Sequence, residues 1–407
     1  MELLEQGSVT SVPGFKAAGI AVGIKKSGKK DLALIVSETP AVAALALTQN
    51  RFRAAPVDLC FDYLRRRPFH RALIINSGNA NACTGDEGME NAQKMTAETA
   101  SLLGFEADEV FVASTGVIGH QLDMNVMNAG IEKIIPELSS TGGMDAATAI
   151  RTTDTFEKSL AVRVEIEGVP VTIGGIAKGS GMIHPNMATM IGIITTDANI
   201  DKATLQTAFS DAVTNSFNMV SVDGDTSTND SAFVLANQTA KHSLIDSTES
   251  ENYRLFKEAL DYVAKTLAKL MAKDGEGATK LIEAVIDHAG CDSSARLAAK
   301  SIVISSLVKT AIFGEDGNWG RILSAVGNSG ADFEPIHVKA WIETENGKVQ
   351  IVDKGRGISF DEAVLDGLLK DKTIIIRVDL GAGEASATAW GCDLSYDYVK
   401  INADYRT

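Results

Sequence analysis

The chain has 407 residues, 45% hydrophobic and 22% charged, close to the globular average and long enough to bury large cores in two or three domains. Its 53 acidic and 38 basic residues leave a formal charge of −15, which argues against nucleic acid or an anionic membrane as principal partner, because both reward clustered Lys and Arg. Four widely spaced cysteines (Cys60, Cys83, Cys291, Cys392) and a start, Met-Glu-Leu-Leu-Glu, with neither basic region nor apolar run fit a cytoplasmic protein with no disulfide framework and no membrane span.

Short β-rich apolar runs alternate with helical patterns along the chain. Leu32–Val36 and Leu73–Ile75 read as buried strands, Met89–Leu103 as a helix and Val110–Ala113 as another strand. Residues 160–176 alternate as a hairpin does, with Glu167-Gly168 at the turn. Ile191–Ile194 is strand-like. Leu255, Leu260, Val263, Leu267 and Leu270 recur at helical spacing, and Ala295–Val308 reads as one helix whose start Asp292, Ser293 or Ser294 could cap. The last part alternates strands (Ile336–Ile342, Ile374–Val378, Thr388–Trp390) with a short helix near Phe360–Leu369. This predicts a mixed α/β (α+β) fold, sheets covered by helices, divided into residues 1–280 and 281–407. Strand order is not readable from these patterns.

The most unusual stretch is Lys178-Gly-Ser-Gly-Met-Ile-His-Pro-Asn-Met-Ala188-Thr189-Met190, a dense irregular segment between two β patterns, of a kind that often carries function in compact folds. Four further segments accompany it: Asn76-Ser-Gly-Asn-Ala-Asn-Ala-Cys-Thr-Gly85, Ser114-Thr-Gly-Val-Ile-Gly119, Asp274-Gly-Glu-Gly-Ala-Thr-Lys280 and the tail Asn402-Ala-Asp-Tyr-Arg-Thr407. Together, from about residue 10 to the end, they resemble the arginine-biosynthesis ornithine acetyltransferase (glutamate N-acetyltransferase) family, whose members cut the bond before the threonine of Ala-Thr-Met autocatalytically.

The resemblance agrees with elementary chemistry. A threonine hydroxyl is a weak nucleophile that needs an adjacent base, and a threonine at a new N-terminus carries one, its own α-amine, whose reference pKa is about 8. Attack of the Thr189 hydroxyl on the Ala188 carbonyl, an N-to-O acyl shift, followed by ester hydrolysis would give chains 1–188 and 189–407. The strands flanking the cut would share a sheet and keep the pieces together. The resemblance then implies ping-pong transfer of acetyl from N2-acetylornithine to glutamate through acetyl-Thr189. It places the oxyanion hole on Thr115 and Gly116, at the end of the Val110–Ala113 strand. It places substrate binding on Thr152 (before its neighbour Thr153), Lys178, Thr189, Glu276, Asn402 and Thr407. It further implies an αββα-type sandwich resembling N-terminal nucleophile enzymes, a smaller C-terminal α/β domain contributing the tail, and a heterotetramer of two copies of each cleaved chain. Some members also take acetyl-CoA as donor, and no motif in the chain separates these from members that only recycle acetyl.

No metal and no resident cofactor are expected. Asp223–Asp230 resembles a calcium loop but has Thr228 at position 6, where glycine belongs, and Val234 at position 12, where glutamate belongs; it reads as a capped turn near the active site. His184 reads as a hydrogen-bonded structural histidine rather than a triad member. Two other functions compete with the transferase: an aminopeptidase or amidase on the same scaffold, with water as acyl acceptor, and a non-catalytic amino-acid-binding regulator that never cleaves.

Overall fold

The computed structural model describes residues 1–184 and 190–404. In chain order its strands are β1 (Glu2–Leu4), β2 (Phe15–Ile20), β3 (Leu32–Leu47), β4 (His70–Asn79), β5 (Val110–Val117), β6 (Lys158–Ile166), β7 (Val169–Lys178), β8 (Ile191–Thr196), β9 (Val220–Ser221), β10 (Ser231–Ala236), β11 (Leu281–Ala289), β12 (Lys339–Thr344), β13 (Gly347–Asp353), β14 (Arg356–Gly357), β15 (Thr373–Asp379) and β16 (Ala385–Cys392). The α-helices are α1 (Ala55–Arg66), α2 (Gly85–Leu103), α3 (Met124–Ile134), α4 (Gly143–Ala149), α5 (Lys202–Thr214), α6 (Glu251–Lys273), α7 (Asp292–Ile304), α8 (Ser306–Phe313), α9 (Trp319–Gly327), α10 (Glu362–Leu368) and α11 (Tyr396–Asp404). None of them is long and apolar enough to cross a membrane.

The first sheet runs β1-β6-β7-β8-β10-β3-β4-β5, with β2 paired to β3. The long strand β3 makes it two-layered. Its first half, Leu32–Val36, lies between β2 and β4, and its second half, Val42–Leu47, pairs with β10. Pro40, which has no N–H to give a ladder, sits at the exposed crossing between the halves. The alternation of side chains along β7, β8 and β10 then fills two cores at once. Ile176, Ile191, Ile193, Phe233 and Leu235 pack with β2–β5, while Ala177, Ile194, Val234 and Ala236 pack with α5 and α6. Helices α1–α3 join the β2–β5 core, through Cys60, Met95, Met127 and Ile131 among others. The layers are helix, sheet, sheet, helix, the αββα sandwich that the motifs imply.

The β6–β7 hairpin turns at Glu167 (φ 54°) and Gly168 (φ 75°), the paired left-handed residues of a type I′ turn. Strands β7 and β8 are antiparallel neighbours, with Lys178 opposite Ile191, so the two ends of the irregular segment share a sheet as expected.

The second sheet runs β14-β13-β12-β15-β11-β16-β9. Six of its strands follow residue 280. The seventh, β9, pairs in parallel with β16. Helix α6 packs on both sheets.

Two local expectations are corrected. The Ala295–Val308 run is two helices, because Ser305 adopts an extended conformation (ψ 110°) and caps α8 by accepting from the Val308 N–H. The first of them starts after Cys291, which gives no side-chain cap, so Asp292, Ser293 and Ser294 lie inside the helix. The Ile336–Ile342 strand begins only at Lys339, since Pro335 opens a short 3-10 turn over Pro335–His337.

Candidate active site

One cavity of about 140 Å³ gathers most of the expected residues: Thr115, Gly116, Thr152, Thr153, Lys178, Glu276 and Asn402 line it together. They come from five segments: the end of β5, the loop after α4, the end of β7, the loop after α6, and α11. Met190 and Ile191, which follow Thr189 in the chain, line the same cavity. Ala188, Thr189 and Thr407 lie outside the described residues.

Gly116 is required by the backbone. Its φ is +130°, and a Cβ there would fall 2.4 Å from the Gly78 carbonyl carbon and 2.6 Å from the Asn79 nitrogen. Only glycine allows β5 to run this close to β4 at the cavity wall. Buried polar side chains brace the same place: Ser114 Oγ donates to Asn76 Oδ1 (2.6 Å), and Asn229 Nδ2 donates to the carbonyls of Ala80 (2.5 Å) and Ser114 (2.8 Å).

Lys178 is buried, and its Nζ donates to Thr115 Oγ1 at 3.3 Å. Burial lowers its pKa and neighbouring Lys158 lowers it further, while the carboxylates of Asp154, Asp230 and Glu276 oppose the fall. It is the one cation among the described residues that line the cavity, facing Asp223, Asp225, Asp230 and Glu276. Such a lining suits a small molecule carrying both a carboxylate and an amino group.

The two threonine candidates separate. Thr153 Oγ1 is engaged with Ser180 Oγ (2.7 Å), whereas the Thr152 hydroxyl makes no hydrogen bond among the described residues and lines the cavity. Glu276 accepts from Asn402 Nδ2 at 2.9 Å, and its own N–H donates to the Ser180 carbonyl. The C-terminal segment is helical over Tyr396–Asp404 and brings Asn402 to the cavity wall.

The structure adds Tyr398 to the site and gives Asp223, read from the sequence only as the start of a capped turn, specific partners there. Asp223 accepts from the N–H groups of Met182 (2.6 Å) and Ile183 (2.8 Å) and from the Tyr398 hydroxyl (3.3 Å). Burial raises the pKa of Asp223 despite those donors. Tyr398 precedes Asn402 by four residues, so helical spacing alone puts both on one face of α11. The 223–230 loop is a turn near the site, as expected, and its first carboxylate is spent on the backbone of the irregular segment. His184 does not line the cavity. Its Nδ1 meets Ser221 Oγ at 3.2 Å, and burial, with Lys300 nearby, lowers its pKa to about 4, so it is a neutral structural histidine at neutral pH.

A helix-flanked double sheet that converges five segments on one small, mixed-charge cavity has the form of a binding site for a small amino-acid-like molecule. The sequence matches the ArgJ family over residues 16–407, and the chain belongs to that family. It is 53% identical over 407 residues, the whole of both chains, to the arginine biosynthesis bifunctional protein ArgJ of Caldanaerobacter subterraneus subsp. tengcongensis. It is 51% identical to the protein of the same name from Symbiobacterium thermophilum, over 98% of this chain and 99% of the other. The crystal structure of arginine biosynthesis bifunctional protein argJ from Bacillus halodurans is 42% identical, with a TM-score of 0.51, and the match covers 53% of this chain and 100% of that one.

Proposed function

We propose that this protein is a glutamate N-acetyltransferase of arginine biosynthesis that cuts itself between Ala188 and Thr189 and carries acetyl on the Thr189 hydroxyl from N2-acetylornithine to glutamate. The observation that carries the reading is the convergence of Thr115, Gly116, Thr152, Lys178, Glu276 and Asn402 on one cavity whose wall includes Met190, the residue after the nucleophile.

In this reading Lys178 pairs with the substrate α-carboxylate and Glu276, steered by Asn402, faces an amino group. Thr152 donates or accepts through its hydroxyl, and Thr407 completes the set. The Thr189 hydroxyl adds to the acetyl carbonyl while its α-amine takes the hydroxyl proton. The tetrahedral oxyanion rests on donors at Thr115 and Gly116, the kind of group whose removal costs about 2.7–4 kcal/mol of barrier. Collapse breaks the C–N bond, and the amine returns the proton to departing ornithine. The amino group of glutamate then attacks the acetyl ester, and N-acetylglutamate leaves. No resident cofactor takes part in these steps, and the reading leaves acetyl-CoA open as a second donor. Cleaved chains 1–188 and 189–407 assemble as two copies of each, in the cytoplasm, and the division into a catalytic sandwich and a C-terminal domain falls at 280/281.

Incubation with N2-acetylornithine, with and without glutamate, tests this against the amidase alternative. Glutamate-dependent release of ornithine with equal N-acetylglutamate supports the transferase. Release of free acetate at the same rate without glutamate contradicts it.

A further inference from the structure

Beneath the cavity lies a buried ionic chain that the acyl-transfer chemistry does not use. Lys158, fully buried on β6, bridges two carboxylates: its Nζ is 2.7 Å from Asp154 Oδ1 and 2.5 Å from Asp274 Oδ2. Asp154 also accepts from the Gly179 N–H (2.6 Å) through Oδ1 and from the Thr152 N–H (3.0 Å) through Oδ2. Asp274, two residues before Glu276, accepts from the Thr155 N–H and hydroxyl. A buried ion pair of this kind gains little net stability over apolar packing, so its value lies in specifying geometry. Here both backbone bonds of Asp154 end one residue or less from a substrate-binding position: at Thr152 itself and at the residue after Lys178.

We propose that Asp154 is the positioning residue of this site, one carboxylate that sets the Thr152 and Lys178 backbones relative to each other and places a buried negative charge one residue from Lys178. The inference rests on the acetyltransferase reading, in which Lys178 meets the substrate carboxylate. Lys178 has no ion-pair partner within contact distance among the described residues, only Thr115 Oγ1. The charged groups acting on it are Asp154, Asp230 and Glu276, which favour the ammonium, and Lys158 and Lys25, which oppose it. Asp154 leads the favourable group. Two lysines bear on Asp154 in turn; burial pushes its carboxyl up, but Lys178, Lys158 and the Gly179 N–H hold it well below the usual carboxylate range. Removing its charge without its shape therefore lets Lys178 lose its proton at a lower pH, and substrate binding fails as the ammonium disappears.

The test is the pH dependence of KM for N2-acetylornithine, with kcat, in the parent and in Asp154→Asn, Asp154→Glu and Lys178→Arg variants whose folding and self-cleavage have been verified. In the parent, KM rises roughly tenfold per pH unit above a single alkaline break, the signature of one lost proton. Asp154→Asn moves that break to lower pH, with kcat changed less than KM. Lys178→Arg, always charged, removes the break. Asp154→Glu, which keeps the charge but misplaces it, raises KM while leaving the break where it was. A purely structural role for Asp154 would raise KM equally at every pH, so parallel profiles in Asp154→Asn and the parent overturn the proposal. If Asp154→Asn does not fold, a shifted break or an unchanged KM in Asp154→Glu overturns it. A parent that transfers no acetyl at all overturns the functional reading itself, and this inference with it.

Discussion

Replacing Gly116 by alanine is the sharpest perturbation of the wall proposed to hold the oxyanion. The residue holds φ +130°, and the new Cβ would fall 2.4 Å from one backbone atom of β4 and 2.6 Å from another. Neither can yield as a flexible side chain would, because both are backbone atoms at the end of β4, which is paired with β3 up to Asn76. The end of β5 must therefore swing away from β4, carrying the backbone of Thr115 and Gly116 and loosening the 3.3 Å contact between Thr115 and Lys178. Displacing one preorganised oxyanion donor costs about 2.7–4 kcal/mol of barrier, or roughly 10²–10³ in kcat. The assay is steady-state acetyl transfer from N2-acetylornithine to glutamate by protein whose circular dichroism matches the parent. KM should change much less than kcat, since Thr152, Glu276 and Asn402 keep their places. Self-cleavage passes through an oxyanion too, so its time course in freshly made protein should slow as well. A kcat within about threefold of the parent would refute the assignment of the oxyanion site to this glycine wall.

Other outcomes follow from the same geometry. Lys178→Met should raise KM for N2-acetylornithine and glutamate alike, because both carry an α-carboxylate; an effect on one substrate alone would argue for a different partner. Asn402→Ala removes the 2.9 Å bond that holds Glu276 and should raise KM for the ornithine substrate by the roughly tenfold that a lost hydrogen bond to a charged group implies, read by initial rates. Lys158→Met leaves Asp154 and Asp274 facing each other without a counter-ion, and chemical denaturation should show a loss of about 3–5 kcal/mol. His70 is buried against Phe111 with ring centroids 4.1 Å apart, and desolvation lowers its pKa to about 4 from 6.5. The unfolded chain therefore binds a proton that the folded chain refuses. Stability is full above the unfolded value and is lost as pH falls from 6.5 toward 4; His70→Gln should flatten that part of the stability curve.

How much of this was legible beforehand depended on whether the signal was local. The β6–β7 hairpin was readable because alternation and a Glu-Gly turn lie within one window, and α6 because its leucines repeat every turn. The order of the strands was not, since the parallel pairings β4–β5 and β8–β10 join segments separated by whole helices. The continuous apolar run through Ser305 hid a helix break that one serine cap decides. At the site, the resemblance carried by the glycine-rich and polar motifs singled out Thr115, Gly116, Thr152, Lys178, Glu276 and Asn402, which the fold brings to one cavity. The ionic chain beneath them escaped, because Lys158 and Asp274 are 116 residues apart and each looks like an ordinary surface charge until the fold buries it. Asp223 was readable only as the start of a capped turn for a related reason: its carboxylate serves the backbone of a loop 40 residues earlier in the chain.

The central claim is that Thr189 becomes an N-terminal nucleophile by cutting the chain before itself. Intact mass under denaturing conditions, comparing the parent with Thr189→Ala, tests it most directly. The account predicts two fragments in the parent, divided between Ala188 and Thr189, and a single uncut chain in the variant. A single intact chain in the active parent, or the same two fragments in Thr189→Ala, would contradict it.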